Sequence, residues 1–296
     1  MIYFYLSKIH RFLIKSQKLN KKTIAIGNFS FGGSGKTPFV IFLSNYLKHY
    51  YKVVILSRGY KRKDKNIQVI RDSNIDVEIV GDEPYLIHLK TGLKVVVYKD
   101  RLLASNLAIE LYNPDILIYD DALQYWKIDF DYKILLLDYK HLRGWNVFPF
   151  GFFREPISEV KRVDFIIINF KFEEPFEIFE FMGKPASFIT YKVVNKHDFK
   201  DVVGFCGIAD NKSFYNLLKK FYNVVYFKSF NDHHPYNEKE LKLLRSFKLP
   251  IITTLKDYVK IQNKEGIYYL DIEVQMNDFN RFIDFLGFPK YHFPNA

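Results

Sequence analysis

Residues 27–37 read Gly27-Asn28-Phe29-Ser30-Phe31-Gly32-Gly33-Ser34-Gly35-Lys36-Thr37. An apolar run at 23–26 precedes them, and residues 38–47 follow with the pattern of a helix. Strand, glycine-rich turn, Lys-Thr and helix together form the context a phosphate-binding loop requires. Gly32, Gly33 and Gly35, with Ser34 among them, let backbone N–H groups turn inward around phosphate oxygens, and the helix N-terminus adds the positive end of its dipole. Lys36 can reach the outer phosphates, and the Thr37 hydroxyl can sit on Mg²⁺. The match is not strict, because Ser30 stands where the usual loop has its first glycine. A glycine-rich turn before a helix also occurs without a ligand.

Working outward, short β-rich runs alternate with helical patterns. Residues 52–56, 94–97, 116–119 and 133–137 read as buried strands, and 83–89 and 101–111 as helices. This βαβ rhythm predicts an α/β fold whose parallel sheet is covered on both faces, with its site at the carboxyl ends of the strands. A second set of strands follows at 202–206, 224–227, 250–254 and 267–270, with helices at 211–221, 238–247 and 278–286. The aromatic stretch 171–191, punctuated by Pro175, Gly183 and Pro185, reads as a connection. The expected organisation is a nucleotide-binding domain over 1–170, a connection over 171–200 and a smaller α/β domain over 201–296. The last helix is free to return to the first domain.

The 296 residues suffice for two such domains, and a hydrophobic content of 48% supports full cores. The net charge of +11 suits an anionic partner: nucleotide, phosphorylated substrate, anionic lipid or nucleic acid. Charge spread over solvated faces is the plainer reading. Cys206 is the single cysteine, which excludes an internal disulfide and a Cys-rich zinc site. No segment approaches the roughly 20 apolar residues of a membrane span. At the N-terminus, Ile2, Leu6, Ile9 and Leu13 recur at helical spacing among Lys8, Arg11, Lys15, Lys18, Lys21 and Lys22, with no acid before Asp64. A basic amphipathic helix of this kind can lie at an anionic membrane surface, or pack on the protein body.

Several polar clusters fall at predicted strand ends. Asp120-Asp121 closes the 116–119 strand, where carboxylates facing a phosphate loop hold Mg²⁺ or its water shell; a helix cap or turn explains such a pair equally simply. Gly81-Asp82-Glu83-Pro84 opens the 83–89 helix, as an N-cap, as a base or metal-shell acid, or as both. Arg58, in Ser57-Arg58-Gly59-Tyr60, and Arg154, in Arg154-Glu155-Pro156, can clamp phosphates or serve as surface ion-pair partners. Asp232-His233-His234 lies in a loop of the second set, where a His working with a carboxylate is the better functional reading than a chelate.

Taken in order, these pieces resemble the tetraacyldisaccharide 4′-kinases of lipid A biosynthesis over nearly the whole chain. The landmarks are Gly27-Asn28 with residues 32–37, then 57–60, 81–84, Asp120-Asp121 with Gln124, Pro149, Gly151, Arg154-Glu155-Pro156, Asp232-His233, and Thr253-Thr254 with Lys256-Asp257. The resemblance implies an inner-membrane-associated enzyme, peripheral on the cytoplasmic face, with two α/β/α domains joined by a hinge. It would transfer the γ-phosphoryl of Mg-ATP to the 4′-hydroxyl of tetraacyldisaccharide 1-phosphate, forming lipid IVA. It implies Asp82 as general base, His233 pairing with it on domain closure, and Arg154 in the catalytic set. Lys36 and Thr37 would bind phosphates and metal, Glu83, Asp120 and Asp121 would support the Mg²⁺, and Asn28, Arg58 and Arg101 would meet anionic substrate groups. Where the family typically reads Gly-Phe-Gln-His, this chain has Ala122-Leu123-Gln124-Tyr125, and no role is carried onto Ala122, Leu123 or Tyr125.

The alternative is a P-loop ATPase switch that drives a partner or delivers a metal, which would share the loop and Asp120-Asp121 but not need Asp82 with His233. A nucleotide-binding or lipid-surface module without catalysis is a third class. No nucleic-acid motif is found, so a nucleic-acid partner is not expected.

Overall fold

The continuous apolar runs of the first half are what a strand buried on both faces requires, and they form the middle of one large sheet. The structure, a computed structural model, describes residues 14–72 and 74–289. In chain order the elements are β1 (Lys22–Gly27), α1 (Lys36–Leu47), β2 (Val53–Ser57), β3 (Gln68–Ile70), α2 (Val77–Val80), α3 (Asp82–Thr91), β4 (Lys94–Val97), α4 (Arg101–Tyr112), β5 (Ile116–Asp120), β6 (Tyr132–Asp138) and β7 (Phe165–Lys171). There follow β8 (Glu180–Phe181), β9 (Lys184–Val193), β10 (Asp201–Cys206), α5 (Asn211–Phe221), β11 (Asn223–Ser229), α6 (Glu238–Arg245), β12 (Ile251–Thr254), α7 (Leu255–Tyr258), β13 (Ile267–Leu270), β14 (Ile272–Met276) and α8 (Phe279–Phe285).

The large sheet has the order β14-β9-β7-β6-β1-β5-β2-β4-β3, with β8 on β9. Its centre is parallel, and β3, β8 and β14 pair antiparallel at its margins. Ile24, Ile26, Phe39, Leu43 and Ile118 pack on one face, and Ala25, Phe29, Ala104, Leu117 and Tyr119 on the other. The register sets Ile26 opposite Asp120, so the phosphate loop and the acidic pair leave adjacent strands at the same end.

The smaller sheet, β11-β10-β12-β13, is parallel throughout. Phe214, Leu217 and Leu218 of α5 cover one face, and Leu241 and Leu244 of α6 the other. The chain then returns: β14 pairs with β9, and α8 packs on α1. Phe282 of α8 is fully buried, with its ring 5.8 Å from Phe39 and 5.0 Å from Phe165. Phe282→Ala is expected to cost about 3–5 kcal/mol of stability through lost burial and the cavity left behind. A urea melt with an unchanged midpoint would contradict that expectation.

Two departures from the sequence reading have clear causes. The stretch 171–200 holds β9, a strand of the large sheet. Phe188 of β9 packs on Phe170, while Tyr191 of the same strand lines the cleft. The apolar run at 165–168, passed over in the sequence, is the start of β7, buried along its whole length. The proposed N-terminal helix falls largely on residues 1–13, outside the described residues. From residue 14 to β1 there is no helix: Gln17 bridges to Ile128, Lys18 pairs with Asp131 at 2.8 Å, and Lys21 donates to Asn113 at 2.6 Å. Those lysines serve the protein body.

Candidate active site

Beyond β1 the chain wraps into the phosphate loop, which is braced on both sides. Asn28 is fully buried; its Nδ2 donates to Ser34 Oγ at 2.9 Å and its Oδ1 accepts from Arg154 Nη2 at 2.6 Å. On the opposite side, Asn169 of β7 donates to the Ser34 carbonyl at 3.0 Å and to the Tyr191 hydroxyl at 2.7 Å. Gly35 has a φ of 91°, and a Cβ there would lie 2.2 Å from Asn169 Nδ2 and 2.4 Å from the Tyr191 hydroxyl. Only glycine fits that position. The loop is therefore held in shape by protein contacts before any phosphate arrives.

Lys36 and Arg154 converge on Asp121. Lys36 Nζ lies 3.6 Å and Arg154 Nη2 3.2 Å from its Oδ1, while Arg101 Nη2 donates to its carbonyl at 3.0 Å. Burial works against the charge on Asp121 but is outweighed by Lys36, Arg154 and Arg101, which hold it down at about 2. Its neighbour Asp120 behaves oppositely. Burial, with Glu83 and Asp121 nearby, pushes Asp120 up to about 7. Asp120 Oδ1 is buried with no hydrogen-bond partner, an expensive arrangement unless a cation completes it. Among the described residues no three His, Cys, Asp or Glu side chains close into a metal cage. Mg²⁺ keeps several waters and takes one or two protein carboxylates along with substrate phosphates, a role the unpartnered Asp120 Oδ1 suits. The donor set of Thr37, Asp120 and Asp121, with Glu83 across from them, fits such an ion.

The opposite wall comes from the smaller sheet. His233, at a φ of 62°, places Nδ1 2.8 and 2.9 Å from the two Asp82 oxygens. Burial of Asp82 opposes its charge, but the His233 hydrogen bond and the charges of Lys256 and Lys260 lower its pKa, so it remains a carboxylate that Nδ1–H donates to. Lys256, at the start of α7, lies 3.1 Å from Glu83 and 3.3 Å from Asp232, and its Nζ donates toward His233 Nε2 at 3.5 Å. The contact between the two sheets thus runs through Asp82, Glu83, Asp232, His233 and Lys256. A second tie between the sheets, unseen in the sequence, joins Lys171 at the end of β7 to Asp210 at 2.6 Å, and Lys171 also pairs at 2.6 Å with Asp138 at the end of neighbouring β6.

Between these walls lies a cleft of about 1060 Å³ lined by the phosphate loop, Arg58, Glu83, Asp120, Asp121, Arg154, His233 and Lys256. Its apolar portion includes Ile41, Phe42, Phe214, Leu217, Ile272 and Val274. Asp82 stands behind His233, only 6% exposed. Of the residues proposed to touch substrate, Arg58 is exposed on the cleft. Asn28 is buried and braces the loop but also lines the cleft, whereas Arg101 is buried outside the lining and braces the Asp121 backbone. The irregular Ala122–Tyr125 stretch is accommodated. Ala122 has no positive φ that would demand glycine, and the Tyr125 hydroxyl donates to Asp100 and accepts from Leu102 N at the start of α4. Asn169, Tyr191, Lys171 and Asp210 were missed because their partners are distant in sequence; a polar Asn169 inside a buried apolar strand was the available signal.

A braced nucleotide loop facing a carboxylate–imidazole pair across an open cleft is the layout of a P-loop kinase. A family model described as tetraacyldisaccharide-1-P 4′-kinase matches residues 1–287, and the chain belongs to that family. It is 36% identical over 280 residues to the tetraacyldisaccharide 4′-kinase of Aquifex aeolicus, covering 89% of this chain and 86% of that one. It is 33% identical over 260 residues to the kinase of the same name from Vibrio parahaemolyticus, covering 86% and 77%. The crystal structure of the Aquifex aeolicus protein in complex with ATP aligns with a TM-score of 0.81 at 32% identity, over 97% of this chain and 95% of that one.

Proposed function

We propose that the chain transfers the γ-phosphoryl of ATP to the 4′-hydroxyl of tetraacyldisaccharide 1-phosphate, producing lipid IVA. The observation that carries this reading is the Asp82–His233 pair, whose imidazole faces the cleft that Lys36 and Asp121 also line. Phosphoryl transfer depends chiefly on positioning and charge neutralisation. The loop backbone, Lys36 and Arg154 would hold the phosphate oxygens. Thr37, Asp120, Asp121 and Glu83 would hold Mg²⁺, which neutralises charge on the β- and γ-phosphates when bound. The acceptor proton would pass to the Asp82–His233 pair, Asp82 being the base and His233 the group that orients it and faces the cleft. Arg58 would meet an anionic group of the acceptor.

The chain crosses between the two sheets after β9 and again at Asp271. These crossings are the proposed hinge, and the Asp82–His233 contact would form as it closes. Among the described residues no helix is long and apolar enough to cross a membrane. A lipid acceptor and a charge of +11 support a peripheral position on the cytoplasmic face of the inner membrane.

The test is transfer of γ-³²P from ATP to tetraacyldisaccharide 1-phosphate in detergent with Mg²⁺, beside Lys36→Ala. Labelled lipid that disappears in the variant is expected. Lys36-dependent phosphate release without lipid labelling would instead support the ATPase switch, which has no use for the Asp82–His233 pair.

A further inference from the structure

Residues 147–153 form a tight turn whose backbone is closed on itself and on the phosphate loop. Phe148 N donates to the Phe153 carbonyl at 2.7 Å, Phe150 N to the Val147 carbonyl at 3.0 Å, and Phe31 N to the Phe152 carbonyl at 2.8 Å. Gly151 packs so closely that a Cβ would lie 2.3 Å from the Asn146 carbonyl. Phe153 anchors the turn: it is 1% exposed and stacks on Trp145 at 3.9 Å. The turn is therefore well defined, yet its other rings remain largely exposed, with Phe152 stacked on His141 and Phe148 set edge-on to Phe31. Phe150 is 86% exposed, Phe152 68% and Phe148 58%, with Phe31 of the phosphate loop beside them at 51%. Exposed apolar clusters on an ordered scaffold mark an interaction surface.

The chemistry around the turn selects the occupant. Residues 139–154 contain no acid, and Lys140 at one end of the stretch, paired with Asp210 at 3.1 Å, keeps nearly half of its side chain exposed. Aromatic rings projecting from a basic, acid-free segment suit an anionic bilayer, whose headgroups attract the cations while the rings enter the acyl boundary. The position suits it as well, since Arg154 directly follows the turn and contacts both Asn28 and Asp121. We infer that the 148–152 turn inserts Phe150 and Phe152 into the surface of an anionic lipid bilayer, setting the mouth of the phosphoryl-transfer cleft at the membrane. The inference rests on the lipid-kinase reading for its choice of a bilayer.

The test uses the full chain and vesicles of phosphatidylethanolamine with phosphatidylglycerol. Cys206 is buried, so Phe150→Cys can carry an environment-sensitive fluorophore. A blue shift on adding vesicles is expected, and Phe150→Ser/Phe152→Ser should partition onto them at least about tenfold more weakly. Kinase activity of that double variant on micellar acceptor should stay within about twofold of native, since neither ring contacts the nucleotide loop's ligand face and insertion is not needed in detergent. The inference is overturned if the double variant sediments with vesicles as the native chain does. It is equally overturned if the label stays water-exposed on vesicle-bound protein, or is already shielded without vesicles by residues 1–13 or a second copy. Vesicle insertion with no lipid phosphorylation would overturn the kinase reading and support this inference.

Discussion

Asp82→Asn is expected to lower turnover by about 10² to 10⁴-fold, the range of general-base catalysis, while leaving ATP affinity nearly unchanged. The reason is positional. Asp82 lies behind His233, away from the loop that would hold the phosphates, so its loss removes a proton acceptor and no phosphate contact. His233→Ala should fall in the same range, and the double variant should be little worse than the poorer single one, because the two groups act as a unit. Single-turnover rates at saturating ATP, with nucleotide binding measured separately, check this. Normal turnover with lost ATP binding would overturn the base assignment. The pH dependence has a definite sign. The Asp82 pKa is lowered, so its basic form persists as the pH falls through the ordinary carboxylate range, and the acid limb of the rate profile should lie below that range.

Lys256→Met is expected to have the second large effect. Lys256 sits among Asp82, Glu83 and Asp232, and burial of its ammonium is outweighed by those carboxylates, which raise its pKa and keep it charged. Removing one partner from a largely buried charge cluster costs about 3–5 kcal/mol. Here the cost falls on the contact between the two sheets, because Glu83 comes from α3 and Lys256 from α7. Turnover should fall roughly a hundredfold, taking the lower bound of that cost as lost closure. The acid limb should also move to higher pH, since Asp82 loses a cation that favours its carboxylate. Lys256→Arg should restore part of both. A turnover loss with an unmoved acid limb would show that Lys256 acts only through the contact.

Charged side chains join the two sheets at two places. The Lys171–Asp210 pair and the Lys256 cluster are ion pairs between elements of different sheets. Such pairs form and break with modest net cost when water can replace them. Phe282, by contrast, is held in the large-sheet core by ring packing on Phe39 and Phe165.

Residues 27–37 needed no structure to be read. Glycines before Lys-Thr, flanked by a strand and a helix, have few other uses, and buried parallel strands announce themselves as unbroken apolar runs. The acids ending β5 and opening α3 were legible for the same local reason: strand ends and helix starts are written in neighbouring residues. What only the tertiary structure decided is which of these local features meet. Asn28 and Arg101 proved to be braces because residues 126 and 20 positions away in the chain fold against them. Asn169 and Tyr191 hold the phosphate loop from a strand the sequence reading passed over and from a stretch it took for a connection. The return of β14 and α8 to the large sheet, and the placing of His233 against Asp82, are contacts between segments far apart in sequence. Local propensity carries no record of such contacts, since they are fixed by burial and charge pairing that exist only once the chain is folded.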